Sequence, residues 1–201
     1  MAEFALLGRV SGKCPVRVGY RSCLDGEKTM EFFDVLNARH SIRAYDSTPV
    51  EPGKLEQIFE AIRRAPSAGN LQAYEVYVVC DAGGKSGLAR ASGDQQFLVE
   101  APVVLVFCAH AALSSGRYGK RGAELYCVQD ATIACTFAML ASTALGLSSV
   151  WVGAFDEHEV GSVIRAPQAH RPVAILPIGN AAEEPRLRPR RNLADMMHQV
   201  S

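Results

Sequence analysis

The longest uncharged stretch of the chain, residues 131–155 (ATIACTFAMLASTALGLSSVWVGAF), limits the possible folds more than any other feature. It is long enough to span a bilayer, which requires about 20 apolar residues. However, Thr, Ser and Gly interrupt it, and Gly146 is a natural C-cap that would end a helix partway through. The sequence therefore predicts a buried helix over 122–145 that runs into a strand over 148–155. Because small residues surround this helix, it is expected at the domain centre or at a subunit interface.

The rest of the chain mixes helices and strands without a strict βαβ order. Apolar residues repeat at helical spacing from Leu55 to Ile62 behind Pro52, whereas VVLVFCA after Pro102 is typical of a buried strand. Helices are predicted at 31–39, 52–65 and 94–100 and after Asp156, and strands at 73–80, 103–109 and 171–180. This order favours an α+β sandwich over a doubly wound sheet.

Residues 1–29 are rich in Gly, Arg, Ser and Lys and show no sustained periodicity. We interpret them as an N-terminal extension, flexible or translated from an upstream start, before a single domain over 30–201.

Lys plus Arg equals Asp plus Glu, at 21 each, so no global field draws the chain to nucleic acid or to a membrane. Six cysteines without a C-x-x-C pair, and no signal peptide, predict free thiols in the cytoplasm. A Cys14–Cys23 disulfide is the alternative.

Two basic segments lie at opposite ends of the predicted domain. The first, RHSIRAYDS at 39–47, places Arg39, His40, Ser41 and Arg43 close together, and the second is the arginine-rich segment 186–191. Arginine guanidinium groups bind phosphate oxygens in pairs, and hydroxyl or backbone N–H groups add further donors. In a chain of zero net charge, a phosphate-bearing cofactor explains these segments better than an exposed basic turn does.

Two further segments offer contacts for a flat heterocycle. In APSAGNLQAYEVYVV, residues 65–79, Asn70 and Gln72 carry carboxamides that both donate and accept, as the pyrimidine ring of a flavin requires. Asx-type turn capping is the alternative for each of these residues. In LGLSSVWVGAF, residues 145–155, glycines flank a strand that contains Trp151. Glycine lets the backbone approach a ring closely, although Trp151 also suits simple core packing.

Other chemistries lack their motifs. GGKS at 83–86 follows a predicted strand, but Val79 stands where a P-loop needs its first glycine, so a glycine turn is predicted. The five histidines are scattered without an H-E-x-x-H motif, so no protein-bound metal is predicted. No G-x-S-x-G elbow provides a nucleophilic serine.

In their order and spacing, these segments resemble the nitroreductase family of FMN-dependent oxidoreductases. RHSIRAYDSTPV resembles the family's opening motif and APSAGNLQAYEVYVV its next segment, although Ala73 stands where the family usually has proline. ALGLSSVWVGAFD and PIGNAAEEPRLRPRRNL are similar to its glycine-bearing strand and to its final strand with a basic tail. The resemblance covers 30–195. It implies an α+β sandwich, with a central mixed or antiparallel sheet flanked by helices, in a homodimer.

The resemblance also implies which residues hold FMN. The ribityl phosphate would be bound by Arg39, His40, Ser41, Arg188 and Arg190. Arg43 would lie near N1 and O2 of the isoalloxazine, where a cation stabilises the negative charge of the reduced flavin. Asn70 would contact the flavin, often from the partner subunit, and the carboxamide of Gln72 is a further candidate. Gly153 and Ala154 would donate N–H groups towards N5 and O4, and Gln95 or Gln96 would reach the pyrimidine edge.

The implied reaction is ping-pong hydride transfer. FMN would accept hydride from NADH or NADPH at N5, and a small oxidant such as a nitroaromatic or quinone would then take the place of the nicotinamide. Residues 109–122 are the only room for a pocket lid, which predicts an open pocket and broad substrate tolerance. The alternatives are a same-fold flavin enzyme of another reaction type, a dehydrogenase or a flavin-processing enzyme, and a non-catalytic flavin-binding protein.

Overall fold

Four strands form one antiparallel sheet in a computed structural model that describes residues 30–200. The strands are β1 (Tyr74–Val79), β2 (Val103–His110), β3 (Ser148–Ser149) and β4 (His170–Gly179), in the order β1-β2-β4-β3. The helices are α1 (Phe32–Ala38), α2 (Pro52–Arg63), α3 (Ala82–Ala91), α4 (Phe97–Glu100), α5 (Ala111–Arg121), α6 (Cys127–Ala144) and α7 (Glu157–Val163). The predicted α+β class is confirmed, whereas the extension at 1–29 and the Cys14–Cys23 pair lie outside the described residues.

The two central strands, β2 and β4, are buried on both faces. Leu105 and Phe107 of β2 pack with α2 and α6, on the opposite face from Val104 and Val106, which pack with α3, α4 and α7. Because successive side chains of a strand point to opposite faces, a strand covered on both sides needs apolar residues at every position. This explains the unbroken apolar run VVLVFCA.

Helix α6 is the core helix that the uncharged stretch predicts. The helical segment 111–144, which joins α5 to α6 through a π-helical turn at Gly122–Tyr126, has the length and apolar composition of a membrane span. Ala131, Ala134 and Ala138 of α6 are nevertheless fully buried, and α6 packs against α2, β2 and β4. Gly146 takes φ 74°, in the left-handed region that favours glycine, and ends the helix at the predicted place.

The predicted strand over 148–155 is wrong in length. Only Ser148–Ser149 lies in β3, and Val152 then makes an isolated bridge to Ile175. Beyond Val152 the chain turns away from β4, and the backbone N–H of Asp156 bonds instead to the carbonyl of Ala91 at the end of α3, at 2.8 Å. The carboxylate of Asp156 then caps α7 by accepting from the N–H of Glu159, at 2.8 Å.

Two segments predicted as a turn and a lid are helical. Residues 83–86 lie in α3, where the carboxylate of Asp81 caps the helix by accepting from the N–H of Gly84, at 2.7 Å. Glycine weakens a helix, but a Cβ at Gly87 would come within 2.8 Å of Val163 in α7, so glycine here permits close helix packing. Residues 111–121, interpreted as part of a lid, form α5, while the predicted helix 94–100 is shortened to Phe97–Glu100.

Candidate functional site

Backbone pairing brings the two basic segments together. The N–H of Ile42 bonds to the carbonyl of Ser149 at 3.2 Å, which fixes the first segment beside β3. The N–H of Asp46 bonds to the carbonyl of Asn180 at 3.1 Å, and the N–H of Ala182 bonds to the carbonyl of Ala44 at 2.9 Å. Residues 41–46 therefore run alongside the chain that leaves β4, and the arginine-rich tail that follows faces the first basic segment.

The two segments enclose a cleft of about 680 Å³. The residues that line it are Leu36, Asn37, Arg39, His40, Ser41, Arg43, Glu183, Arg186, Leu187, Arg188 and Arg190. Every residue predicted to contact the phosphate is among them, as is Arg43. The structure thus brings together side chains that are about 150 positions apart in the sequence. We call this the arginine cleft.

The arginine cleft carries an excess of positive charge. Burial, and then the charge of Arg190, hold the pKa of the Arg39 guanidinium below its usual value. Within residues 30–200, none of its guanidinium groups forms a salt bridge. The carboxylate of Glu183 accepts a hydrogen bond from the backbone N–H of Arg43. Five arginines and one glutamate line the cleft, and this net positive charge favours a bound anion.

His40 adds a conditional donor to the cleft. One ring nitrogen, Nδ1, lies 2.9 Å from the carbonyl of Ala38, which accepts a hydrogen bond from Nδ1–H. In that tautomer Nε2 donates to an anion only when the imidazole is protonated, so the arginines supply the permanent charge.

A second predicted segment lies next to the cleft. Ser41, which lines the cleft, forms a parallel bridge with Ser149. Gly153 lies four residues after Ser149 and is therefore within about 14 Å of it, the length of four residues of fully extended chain. Gly153 and Ala154 are exposed, and their backbone N–H groups have no acceptor within residues 30–200. The carboxamide of Gln95 donates to the carbonyls of Ser92 at 2.7 Å and Ala154 at 3.4 Å. Free N–H groups and a carboxamide are thus grouped at one exposed edge.

Asn70 and Gln72 do not line the arginine cleft of their own chain. They lie at the end of a 3₁₀ turn with φ of 59° and 49°, a conformation that is rare for glutamine. The N–H of Gln72 donates to the Ser67 hydroxyl at 2.9 Å, and the buried carboxylate of Asp130 accepts from the N–H of Ala68 at 2.9 Å. Internal bonds therefore hold this loop, residues 66–73, and leave the two carboxamides exposed.

The structure adds three residues that sequence reasoning did not assign. Arg186 and Glu183 line the cleft, and the hydroxyl of Ser149 is buried without a hydrogen-bond partner in the described chain. Arg186 belongs to the basic segment already recognised, so its position in the sequence was the available signal. The other two became visible only through pairing between distant segments.

Comparisons with known proteins agree on one family. The family model described as "Nitroreductase family" matches residues 36–96 and 84–180. The FMN reductase [NAD(P)H] of Bacillus subtilis is 33% identical over 182 residues, which cover 84% of this chain and 73% of that protein. The NADH dehydrogenase of Thermus thermophilus is 31% identical over 188 residues, which cover 79% and 92%.

Solved structures show the same fold. A hypothetical oxidoreductase of Bacillus subtilis superimposes with a TM-score of 0.77 at 30% identity, covering 85% of this chain and 74% of that one. A nitroreductase family protein of Streptococcus pneumoniae gives a TM-score of 0.77 at 19% identity, covering 85% and 100%, and it supports the fold alone.

Proposed function

The chain belongs to the nitroreductase family, and from that premise we propose that it is an FMN-dependent oxidoreductase that transfers hydride from NAD(P)H to a small oxidant. We infer a ping-pong cycle in which NAD(P)H and then a nitroaromatic or quinone occupy one pocket. The names of its relatives, among them an FMN reductase and an NADH dehydrogenase, support the redox class and both cofactors.

One observation carries the proposal: Arg39 and Arg190, from opposite ends of the domain, line a single cleft that lacks a salt bridge in the described chain. A phosphate monoester fits this donor set, because its two negative charges and three terminal oxygens match paired guanidinium forks. The hydroxyl of Ser41 adds a neutral donor in the same cleft.

Each side chain has a role in this proposal. Arg39, His40, Ser41, Arg188 and Arg190 hold the phosphate, with Arg186 at the rim. Arg43 places a fixed cation beside the ring edge on which negative charge develops during reduction. The N–H groups of Gly153 and Ala154, and the carboxamide of Gln95, orient the ring. Bound FMN supplies hydride acceptance and donation at N5, so the chain needs no side-chain nucleophile.

We further propose that two chains form a homodimer in which Asn70 and Gln72 serve the partner's cleft. Their exposure on a loop outside their own cleft supports this arrangement. Apolar surface for such a contact is available, because Phe32 and Phe33 of α1 are 61% and 74% exposed. Ile133 and Phe137, four positions apart on one face of α6, are half-buried, and α1 packs against α6.

Stopped-flow spectroscopy tests the function. Mixing the purified yellow protein with NADH or NADPH under anaerobic conditions should bleach its absorbance, and a nitroaromatic or quinone added afterwards should restore it. A non-catalytic flavin-binding protein would keep its absorbance in the first step. A same-fold enzyme of another reaction type would bleach but would not be reoxidised by any oxidant of these classes.

A further inference from the structure

Glu75, His110 and His170 form a cluster on the sheet, outside the arginine cleft. One potential ligand atom from each side chain lies within 4.8 Å of the other two, and all three side chains are half-buried. The cluster lies at the start of β4, whereas the arginine cleft follows its end. Because β4 is ten residues long, roughly 30 Å separate its two ends at about 3.3 Å per residue.

Strand pairing creates this cluster. His110 on β2 is the direct cross-strand partner of His170 on β4. Glu75 on β1 pairs with Cys108, which precedes His110 by two positions and therefore points to the same face. This is the face of the sheet that packs with α3 and α7, opposite to α6. The spacing of the two histidines along the chain predicts none of this, because 60 residues separate them.

We propose that Glu75, His110 and His170 bind a divalent transition-metal ion, and that Zn²⁺ is the ion this ligand set favours. Two imidazoles and one carboxylate form a ligand set typical of zinc with one open coordination position. Nδ1–H of His110 donates to the carboxylate Oε1 of Glu75 at 3.0 Å, so an ion bound by these two atoms would replace that proton. That separation is close to the roughly 3.3 Å expected between two donors bound tetrahedrally to one ion at about 2.0–2.1 Å.

A second layer of contacts orients the ligands. The hydroxyl of Tyr77 lies 2.7 Å from Nδ1 of His170, which leaves Nε2 of that ring for the ion. Metal-bound histidines almost always hold their other nitrogen in a hydrogen bond of this kind. The rings of His110 and His170 pack beside each other with centroids 4.5 Å apart, and each offers a nitrogen within 4.8 Å of the other ligand atoms.

The thiol of Cys108 stays outside the ligand set. It is fully buried on the same face, and it is not among the side chains whose ligand atoms lie within 4.8 Å of one another. The ion is therefore bound by nitrogen and oxygen, and it joins three strands at one end of the sheet.

Calorimetry on the EDTA-treated, desalted full-length protein, in a non-chelating reductant, tests the proposal. Zn²⁺ should bind at one ion per chain, and a concentration of about 100 times Kd should raise the Tm by roughly 5–10 °C. Tyr77→Phe removes the hydroxyl that orients His170 and should weaken Zn²⁺ binding by about 10–100-fold. His110→Ala and His170→Ala each remove a ligand and should weaken it more than that. Glu75→Gln keeps the side-chain size but removes the negative charge, and it should also lose affinity for Zn²⁺. Because this variant should fold normally, its loss of affinity separates the loss of a ligand from misfolding.

His158→Ala is the matched control, because it removes an exposed imidazole from α7 and should leave binding unchanged. Co²⁺ gives an independent reading: its d–d absorption should indicate nitrogen and oxygen ligands without thiolate charge-transfer bands. Stoichiometry well below one, affinity retained in the His110→Ala/His170→Ala double variant, or thiolate bands would overturn the proposal. None of these readings uses the flavin, so they stand or fall separately from the proposed redox activity.

Discussion

The arginine cleft and the loop at 66–73 hold their polar groups in opposite ways. In the cleft, Arg39 and Arg190 face each other without an acidic partner in the described chain, and the pKa of Arg39 is lowered. In the loop, Asp130 and Ser67 already accept backbone N–H groups. The cleft thus keeps a net positive charge that Glu183 alone does not balance, whereas the backbone of the loop is hydrogen-bonded without a ligand and its carboxamides are exposed. In the proposed function, the cleft with its unbalanced positive charge binds the cofactor phosphate, and the loop with its hydrogen-bonded backbone positions Asn70 and Gln72.

Removing both facing arginines should have the largest effect. Each charge-assisted contact contributes about 1.5–3 kcal/mol, so Arg39→Ala/Arg190→Ala should weaken FMN binding by roughly 10²–10⁴-fold. Quenching of FMN fluorescence by the apoprotein measures this affinity. The native protein should prefer FMN to riboflavin by at least this factor, and the double variant should lose most of that preference.

Arg191→Ala is the control for that experiment. Its guanidinium donates to the carbonyl of Asp195 at 2.8 Å and does not line the cleft. FMN affinity should therefore remain within about threefold. An equal loss in this variant would mean that net charge, and not the cleft geometry, attracts the cofactor.

Removing the carboxylate that supports the loop should affect stability more than cofactor affinity. Asp130 is buried and accepts from the N–H of Ala68 at 2.9 Å and of Ala73 at 3.4 Å. Asp130→Ala leaves these donors unpaired and should lower the free energy of unfolding by roughly 2–3 kcal/mol in urea titration. Asp130→Asn keeps one acceptor and should lose less. A loss of FMN affinity as large as that of the arginine pair, with unchanged stability, would contradict the distinction drawn between the two regions.

Asn70→Ala should reduce kcat/KM by about tenfold, the cost of one neutral hydrogen bond, with little change in stability. Co-expression with the Arg39→Ala/Arg190→Ala chain tests the assignment to the partner's cleft. In a mixed dimer, one of the two clefts would have intact arginines and an intact Asn70 from the other chain. Because random pairing makes about half of the dimers mixed, about one site in four should be fully active overall. Activity no higher than that of the parent variants would place Asn70 in the cleft of its own chain.

Arg186→Ala should have the smallest effect. This arginine lies at an exposed part of the cleft, where solvent screens its charge. FMN affinity should fall about two- to fivefold, and the loss should disappear at high ionic strength. A salt-independent loss of the size seen for Arg39 would instead assign Arg186 to direct phosphate contact.

The sequence predicts local features of this molecule, such as helix caps and apolar strands, better than it predicts the pairing of segments that are distant in the chain. The apolar run of β2, the capping of α7 by Asp156 and the glycine end of α6 follow from short-range rules, and the structure contains all three. The glycine turn predicted at 83–86 is part of α3, and Gly87 of this helix allows its close packing on Val163 of α7. The length of β3 was wrong because strand pairing depends on a distant partner.

The candidate site shows the same limit. The basic segments were recognisable because arginines cluster in each of them. The backbone pairing of residues 44–46 with 180–182, which aligns the two segments, has no signature in either segment alone. The Glu75, His110 and His170 cluster was overlooked for the same reason, because its residues are scattered along the chain and meet only through the sheet.

The pairing of residues 44–46 with 180–182 has a consequence for biosynthesis. At roughly 5–20 residues per second, Arg39 is synthesised some 8–30 s before Arg190. A half-made chain therefore presents only one wall of the arginine cleft. Yellow colour would first develop when translation is almost complete, so any product that stops before residue 180 should remain colourless however well its sheet has formed.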